Sequence, residues 1–390
     1  MVNPFQWIDD ELSALEDKTL LRQRRTFCSV PGGHCSLDGE LLWNFAGNDY
    51  LGLADDPAVI ETAKTAIIEG VGARASALVT GHSHWHEQLV KTVAEFKKAE
   101  AAILFPTGYA ANFGTITSLV GSEDIVFCDR LNHASLIDGA RHSKAKFRVY
   151  PHCDVAALKR ELEKARGYRR RLVITDSLFS MDGDQAPLKE IVDLAEEYDA
   201  MLLVDEAHAT GIFGVNGTGL LEAHEVANHP NVISVGTFSK AIGVQGGFVT
   251  GSKSLCDWLW NRARTSMFST ALAPPLCAAA IASIGLIKSE PKRRKWLLEQ
   301  SKLVKEKLQE QGWNVPEDVN GPIIPVLIRE PEKTVSIAKQ LQQQVILVAA
   351  IRPPTVPSGT SRLRISLSYS HQESGVQALL DAFDQLDTTC

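Results

Sequence analysis

Lys240 stands in the run VGTFSKAIGVQGGFVTG, residues 235–251, a cation among glycines, small hydroxyls and apolar side chains with no acid beside it. A lysine desolvated at the end of a strand loses part of its preference for the charged form, and its amine becomes a nucleophile toward carbonyls. That is the chemistry of a Schiff base. The same run suits a phosphate-binding or surface lysine equally well. Asp205, in VDEAH and 35 residues upstream, narrows the choice. A buried carboxylate needs a cationic or hydrogen-bonded partner. A protonated pyridine nitrogen is one, and pyridoxal phosphate catalysis depends on keeping that nitrogen charged. The position also suits a helix N-cap for EAHATG. His133, in DRLNHASL, offers a flat ring for stacking on a cofactor, or serves as a structural histidine. At Gly108 and Tyr109, TGYAANFG lines up backbone N–H groups at a strand-to-helix turn, which suits a phosphate.

Other motifs carry less. HSHWHE, residues 82–87, spaces His82 and His86 at i, i+4 but specifies no third ligand and lacks H-E-x-x-H, so no metal site is expected. GVGARASALVTG (70–81) and GIFGVNGTG (211–219) lack the dinucleotide glycine order, and the chain has neither a nucleotide P-loop nor the G-x-S-x-G of a hydrolase.

The elements that must position these residues are short apolar runs: AILF, DIVFC, FRVY, RLVIT, MLLVD, NVISV and GFVTG, between residues 102 and 251. Helical patterns such as ANFGTITSLV, VAALKRELEKAR and LKEIVDLAEEY lie between several of them. Continuous apolar strands joined by helices predict an α/β fold with a largely parallel sheet covered on both faces. In such sheets ligands bind beyond the carboxyl ends of the strands. Gly108, Tyr109, His133, Ser180, Asp205, His208 and Thr237 to Lys240 all follow strand ends. After Pro274 and Pro275 the texture changes to long charged helices and a few strands, a smaller α+β domain. The expected division is an N-terminal helix and segment over 1–50, which packs on that smaller domain or on a partner subunit, a large cofactor-binding domain over 51–275 and the small domain over 276–390.

Composition excludes several classes. A formal charge of −7 without a basic block argues against nucleic acid as the main partner. The seven scattered cysteines, at 28, 35, 128, 153, 256, 277 and 390, form no C-x-x-C pair and read as small core fillers in a reducing compartment. Acids run through the N-terminal stretch, so no secretory or transit signal is expected and the protein reads as cytoplasmic. The apolar window 271–287, opened by its double proline, predicts a buried helix rather than a membrane span.

Taken in order, NDYLGL (48–53), TGYAAN (107–112), DRLNHAS (129–135), SMDGD (180–184), VDEAHATG (204–211) and GTFSK (236–240) resemble the α-oxoamine synthases over nearly the whole chain. These are pyridoxal-phosphate enzymes of aminotransferase-like fold type I, which join an amino acid to an acyl thioester with loss of carbon dioxide. The resemblance implies a seven-stranded large-domain sheet and a homodimer with active sites at the interface. AIRPPTVPSGTSRLRISLS, residues 350–368, is most similar to the biotin-pathway branch, which takes L-alanine and a pimeloyl group on coenzyme A or a carrier protein. Sibling branches use glycine with acetyl-CoA or succinyl-CoA, or serine with a long acyl chain. A non-catalytic, cofactor-binding regulator is the rival of another class; it would normally carry a DNA-binding module, for which the N-terminal stretch leaves no room, and the intact lysine, aspartate and histidine favour activity.

By resemblance, Lys240 holds pyridoxal 5′-phosphate covalently and moves protons at the substrate α-carbon. Asp205 pairs with the ring nitrogen, His133 stacks on the ring, and Ser180 and His208 lie near its phenolic oxygen. Gly108, Tyr109 and Thr237 help hold the cofactor, and Thr270 reaches the phosphate of the neighbouring subunit's cofactor. Arg352 clamps the amino-acid carboxylate, with Asn48 and Arg22 near the substrates. One run departs from the family. Relatives commonly show G-A-G-A-S-R-L, where this chain has GARASAL, with Arg74 in place of a glycine and Ala77 in place of the arginine. That departure bears on acyl specificity more than on the chemistry.

Overall fold

The computed structural model describes residues 3–18, 20–22 and 24–386. It opens with α1 (Gln6–Asp17), which buries none of its residues. An antiparallel meander follows, of β1 (Phe27–Val30), β2 (His34–Leu37) and β3 (Glu40–Asn44). Next come α2 (Pro57–Ile67) and α3 (His84–Lys97). The alternating part then runs β4 (Ala101–Phe105), α4 (Gly108–Leu119), β5 (Ile125–Asp129), α5 (Ala134–His142), β6 (Lys146–Tyr150), α6 (Val155–Glu163), β7 (Arg171–Asp176), α7 (Leu188–Glu197) and β8 (Met201–Asp205). It closes with α8 (Leu220–Ala223), β9 (Val232–Thr237) and β10 (Gly247–Gly251).

Seven of these strands form one sheet in the order β4-β10-β9-β8-β7-β5-β6. Only β10 runs antiparallel to its neighbours. All seven expected runs are strands of this sheet. Both faces are apolar because alternate residues serve separate cores. Val126, Cys128, Ile174, Leu203 and Val235 pack with α4, α5 and α9 (Lys253–Arg262). Ile125, Phe127, Val173, Leu202 and Val204 face the opposite core, with Leu89, Val93, Leu158 and Ile191 of the covering helices.

After the short α10 (Arg264–Met267), α11 (Pro274–Ser289) starts on the two prolines, which lack the N–H that a first helical turn leaves unpaired. It packs on α2 and α3 of the large body. Among the described residues no helix is long and apolar enough to cross a membrane. The remaining elements are α12 (Pro291–Glu310), β11 (Ile323–Arg329), α13 (Pro331–Gln343), β12 (Ile346–Leu347), β13 (Ala349–Ile351), β14 (Ser361–Ser366) and α14 (Gln372–Asp384). β11, β14 and β13 make a second, antiparallel sheet. β12 pairs in parallel with β3, so the N-terminal meander joins the C-terminal body.

The cysteines correct one expectation. Cys35, Cys128, Cys256 and Cys277 are buried, but Cys28 is exposed and Cys153 is half-buried beside His152; Cys390 lies outside the described residues. His152 itself lies 2.9 Å from Asp129 and 2.6 Å from Asp184, linking the loops after β5, β6 and β7. Burial opposes its charge, yet the hydrogen bonds to both carboxylates push it up to about 12.

Behind the sheet, Lys97 and Glu206 form a buried ion pair at 2.5 Å. Lys97 also donates to the Thr218 carbonyl at 2.6 Å, and Glu206 accepts from Leu221 N–H at 2.8 Å and Ser234 Oγ at 3.2 Å. Replacing Lys97 by methionine strands the carboxylate in the core. That is expected to cost about 3–5 kcal/mol and to lower the melting temperature by several degrees in calorimetry, whereas Lys97→Met with Glu206→Gln recovers part of the loss.

Candidate active site

The parallel order of β5, β7, β8 and β9 places Asp129, Asp176, Asp205 and Thr237 at one end of the sheet, and the loops after them carry the remaining chemistry. Asp205 is 6% exposed. Its Oδ1 accepts Ala207 N–H at 2.8 Å and its Oδ2 accepts Asn112 Nδ2 at 2.6 Å. The same Asn112 nitrogen donates to Ser135 Oγ at 2.9 Å, which lies 2.7 Å from His133 Nδ1. His133 caps α5 and leaves its ring exposed, with the Tyr109 ring edge-on at 6.5 Å. Tyr109 hydroxyl donates to Asp138 across the same opening.

Lys240 follows β9. Burial pulls its amine down from 10.5 to about 8; Asp205 and Asp176 oppose the fall and Arg364 adds to it. His208 is buried, and its Nδ1 lies 2.7 Å from the Tyr50 hydroxyl in a hydrogen bond. Burial, with Lys240 and Arg364 nearby, holds it well below the usual histidine range. The imidazole is therefore neutral, a hydrogen-bonding group rather than a cation.

Beside Lys240, three features suit a phosphate. Gly108 opens α4 after Thr107, whose hydroxyl accepts Ala110 N–H at 3.0 Å. Thr237 Oγ1 donates to Gly246 carbonyl at 2.7 Å and lies 2.8 Å from Ser239 Oγ. Gly247 lets β10 pass so close that a Cβ there would stand 2.4 Å from Thr107 carbonyl and 2.6 Å from Gly108 N. A buried carboxylate for a ring nitrogen, an open imidazole for its face, a neutral-prone amine and a helix N-terminus with hydroxyls together fit a flat, anionic aldehyde cofactor. Asn112 Oδ1, buried without a partner among the described residues, adds an acceptor in the same network.

Arg364 was not singled out from sequence. It projects from β14, 5% exposed, with Nε donating to Ser180 carbonyl at 2.6 Å and Nη2 donating to Asn48 Oδ1 at 3.1 Å and to Tyr50 Oη at 3.3 Å. Asn48 thus joins the site through Arg364, and Ser180 through its main chain. The detectable signal was the alternation in RLRISLS, which puts Arg362 and Arg364 on one face of a buried strand. Arg362 bonds the Asp182 carboxylate and Met181 carbonyl of the Ser180 loop.

Arg352 is half-buried and follows β13 directly. With Arg22, Arg25 and Lys339 it lines a cavity of about 970 Å³ that reaches Asn44 and Gly47. Arg22 Nη2 donates to Thr355 Oγ1 at 2.9 Å and Arg25 Nη2 to Gln342 Oε1 at 2.8 Å. Thr270 is exposed, bridges to Ser76 and lines a separate cavity of about 530 Å³ with His82, His86 and Trp260. His86 is engaged there, through Ser83 N–H at 3.1 Å and Leu272 carbonyl at 2.8 Å. Arg74, at the departure from the family run, has φ of 65°, a backbone region that favours the glycine it replaces. Its Nη2 donates to Glu69 carbonyl at 3.1 Å.

Comparison with known proteins points one way. The family model described as aminotransferase class I and II matches residues 42–383. The 8-amino-7-oxononanoate synthase of Herminiimonas arsenicoxydans is 44% identical over 95% of this chain and 97% of its own length. The 8-amino-7-oxononanoate synthase 2 of Bacillus subtilis strain 168 is 42% identical over 97% of each. Among solved structures, a serine palmitoyltransferase variant from S. paucimobilis with a bound PLP-myriocin aldimine superposes with a TM-score of 0.91 at 29% identity, covering 97% of this chain and 96% of that one.

Proposed function

Because the chain belongs to the class I and II aminotransferase family, we propose that it joins L-alanine to a pimeloyl thioester, releasing carbon dioxide and a thiol, to form 8-amino-7-oxononanoate for biotin biosynthesis. Its cofactor is pyridoxal 5′-phosphate. The observation that carries the reading is Lys240 and Asp205 at adjacent strand ends, β9 and β8, with His133 tied to Asp205 through Asn112 and Ser135.

The bound cofactor supplies an electron sink for a carbanion at the amino-acid α-carbon. Lys240 would hold it through Nζ, and the same amine, when free, would move the proton to and from the α-carbon. The low affinity of Nζ for its proton suits it to that exchange. Asp205 would hold the ring nitrogen in its protonated form, and His133 would stack against the ring. His208, neutral and oriented by Tyr50, bonds the phenolic oxygen together with Ser180. Gly108, Tyr109 and Thr237 would help hold the cofactor, and Thr270 would reach that of a second copy in a homodimer. The acyl donor, on coenzyme A or a carrier protein, presents its anionic groups to Arg22 and Arg352 in the large cavity. The setting of the reaction is the cytoplasm.

For the amino-acid carboxylate, we propose Arg364 with Asn48 in place of the expected Arg352. Arg364 is the guanidinium whose field reaches both Lys240 and His208. Four of its five N–H groups are engaged by Ser180, Ser366, Asn48 and Tyr50, so its hold on a carboxylate is by charge and one further hydrogen bond. Arg364→Ala is expected to raise KM for alanine roughly 10- to 100-fold, as for loss of a charge-assisted pair. Arg352→Ala should act on KM for the acyl donor. Steady-state kinetics varying each substrate in turn separates the two, and a rise in alanine KM confined to the Arg352 variant would return the clamp to Arg352.

Thiol release from the purified holoenzyme, with L-alanine, glycine or L-serine against pimeloyl-, acetyl-, succinyl- and palmitoyl-CoA, tests the assignment. Alanine with pimeloyl-CoA should be preferred. The likeness to serine palmitoyltransferase supports a second reading, serine with a long acyl chain, and preference for that pair would replace the first.

A further inference from the structure

Asp176 ends β7 at 3% exposure and sits opposite Asp205 in the register of β7 and β8. Burial, and then the field of Asp205, push it well above the usual carboxyl range; the bond from His133 N–H and the field of Lys240 oppose that shift, and Asp129 adds to it. A second anion beside Asp205 would be costly there. What its carboxyl does is defined by geometry. Oδ2 accepts the His133 backbone N–H at 2.7 Å. The preceding residue is fixed to the same strand, since Asn132 Oδ1 accepts Asp176 N–H at 3.0 Å and Asn132 Nδ2 donates to Ile174 carbonyl at 2.8 Å. From the other side, the His133 ring is held through Ser135 and Asn112 to Asp205. The contacts close a loop, Asp205–Asn112–Ser135–His133–Asp176, whose two ends are neighbours on adjacent strands.

We propose that Asp176 is a positioning residue for the cofactor: its carboxyl fixes the His133 backbone so that the imidazole keeps its place against the cofactor ring, and it acts as a hydrogen-bond acceptor rather than as a charge. This rests on the assignment of His133 to the ring. An asparagine at 176 offers an amide oxygen to the same N–H, whereas an alanine leaves that N–H without its acceptor.

The test measures the dissociation constant of pyridoxal 5′-phosphate and the circular dichroism of the bound cofactor in the parent, Asp176→Asn, Asp176→Ala, His133→Ala and the double alanine variant. Asp176→Ala is expected to weaken cofactor retention roughly tenfold and to diminish the dichroism, as for one buried hydrogen bond lost. Asp176→Asn should restore retention to within about threefold of the parent and leave unmoved the pH at which the bound cofactor's absorption changes. In the His133→Ala background, Asp176→Ala should add no further loss, because both act through one ring. If Asp176→Asn is as damaging as the alanine variant, or shifts that spectral transition, charge carries the role and the proposal fails. It also fails if the two alanine effects multiply. Should His133→Ala alone change neither readout, the assignment of His133 is what fails, and the proposal goes with it. Melting of the cofactor-free variants checks folding; if Asp176→Ala is not recovered, Asp176→Ser, whose hydroxyl is too short to span to His133, takes its place.

Discussion

Lys240→Ala is expected to abolish turnover and to remove the absorption of covalently held cofactor from the purified protein. Lys97, the other buried lysine, is committed to Glu206 and the Thr218 carbonyl behind the sheet. The variant should still bind pyridoxal 5′-phosphate through Asp205, His133 and the α4 N-terminus, but reversibly, so that dialysis strips it. In cofactor-free parent protein the rate of aldehyde addition to Lys240 should climb as pH rises through about 8, where burial places its titration, instead of near 10.5. A visible spectrum unchanged by the substitution, measured beside thiol release, would remove Lys240 from the chemistry.

Asp205→Asn carries the second largest expected effect. The amide keeps the shape and can accept Ala207 N–H, but it brings no negative charge to a ring nitrogen that must stay protonated. The Asn112 nitrogen, 2.6 Å from Oδ2, would then face either an amide oxygen or a second N–H donor. Loss of an electrostatic partner at a reacting group costs about 10²- to 10³-fold in kcat, and the cofactor should dissociate more readily. Stability should change little beside that, because the amide keeps the shape and the bond from Ala207 N–H. Rates at saturating alanine and acyl donor, compared with calorimetric melting, check both halves; a kcat within threefold of the parent would contradict a charged role for Asp205.

Much of this site was legible because strand ends are legible. Each of the seven apolar runs became a strand of one sheet, and a parallel sheet collects the residues after its strands at one edge, so Lys240, Asp205, His208 and His133 were found from spacing and pattern. Arg364 was not, although RLRISLS was in plain view. A guanidinium on a strand looks like an edge or surface residue until the Ser180 loop, nearly two hundred residues earlier in the chain, supplies its acceptor. Arg352, twelve residues before it, is the guanidinium that the resemblance offers for the carboxylate. Asp176 and Asn112 escaped for a related reason. A polar residue closing a strand reads as a cap or turn, and only the pairing of β7 with β8 places one carboxylate beside the other. The β1–β3 meander was missed because its strands are short and mix cysteine, serine and histidine, leaving no clear alternation for a pattern to follow; its parallel contact with β12 is wholly tertiary. Thr270 is exposed at a second cavity, and its expected reach to a second copy's cofactor comes from the resemblance alone.

The most direct measurement follows the carboxyl carbon of L-alanine. With carboxyl-labelled alanine, pimeloyl-CoA and the holoenzyme, one labelled carbon dioxide should appear for each thiol released, and neither should appear with Lys240→Ala. Thiol release with the label retained in the product would contradict decarboxylative condensation at this site.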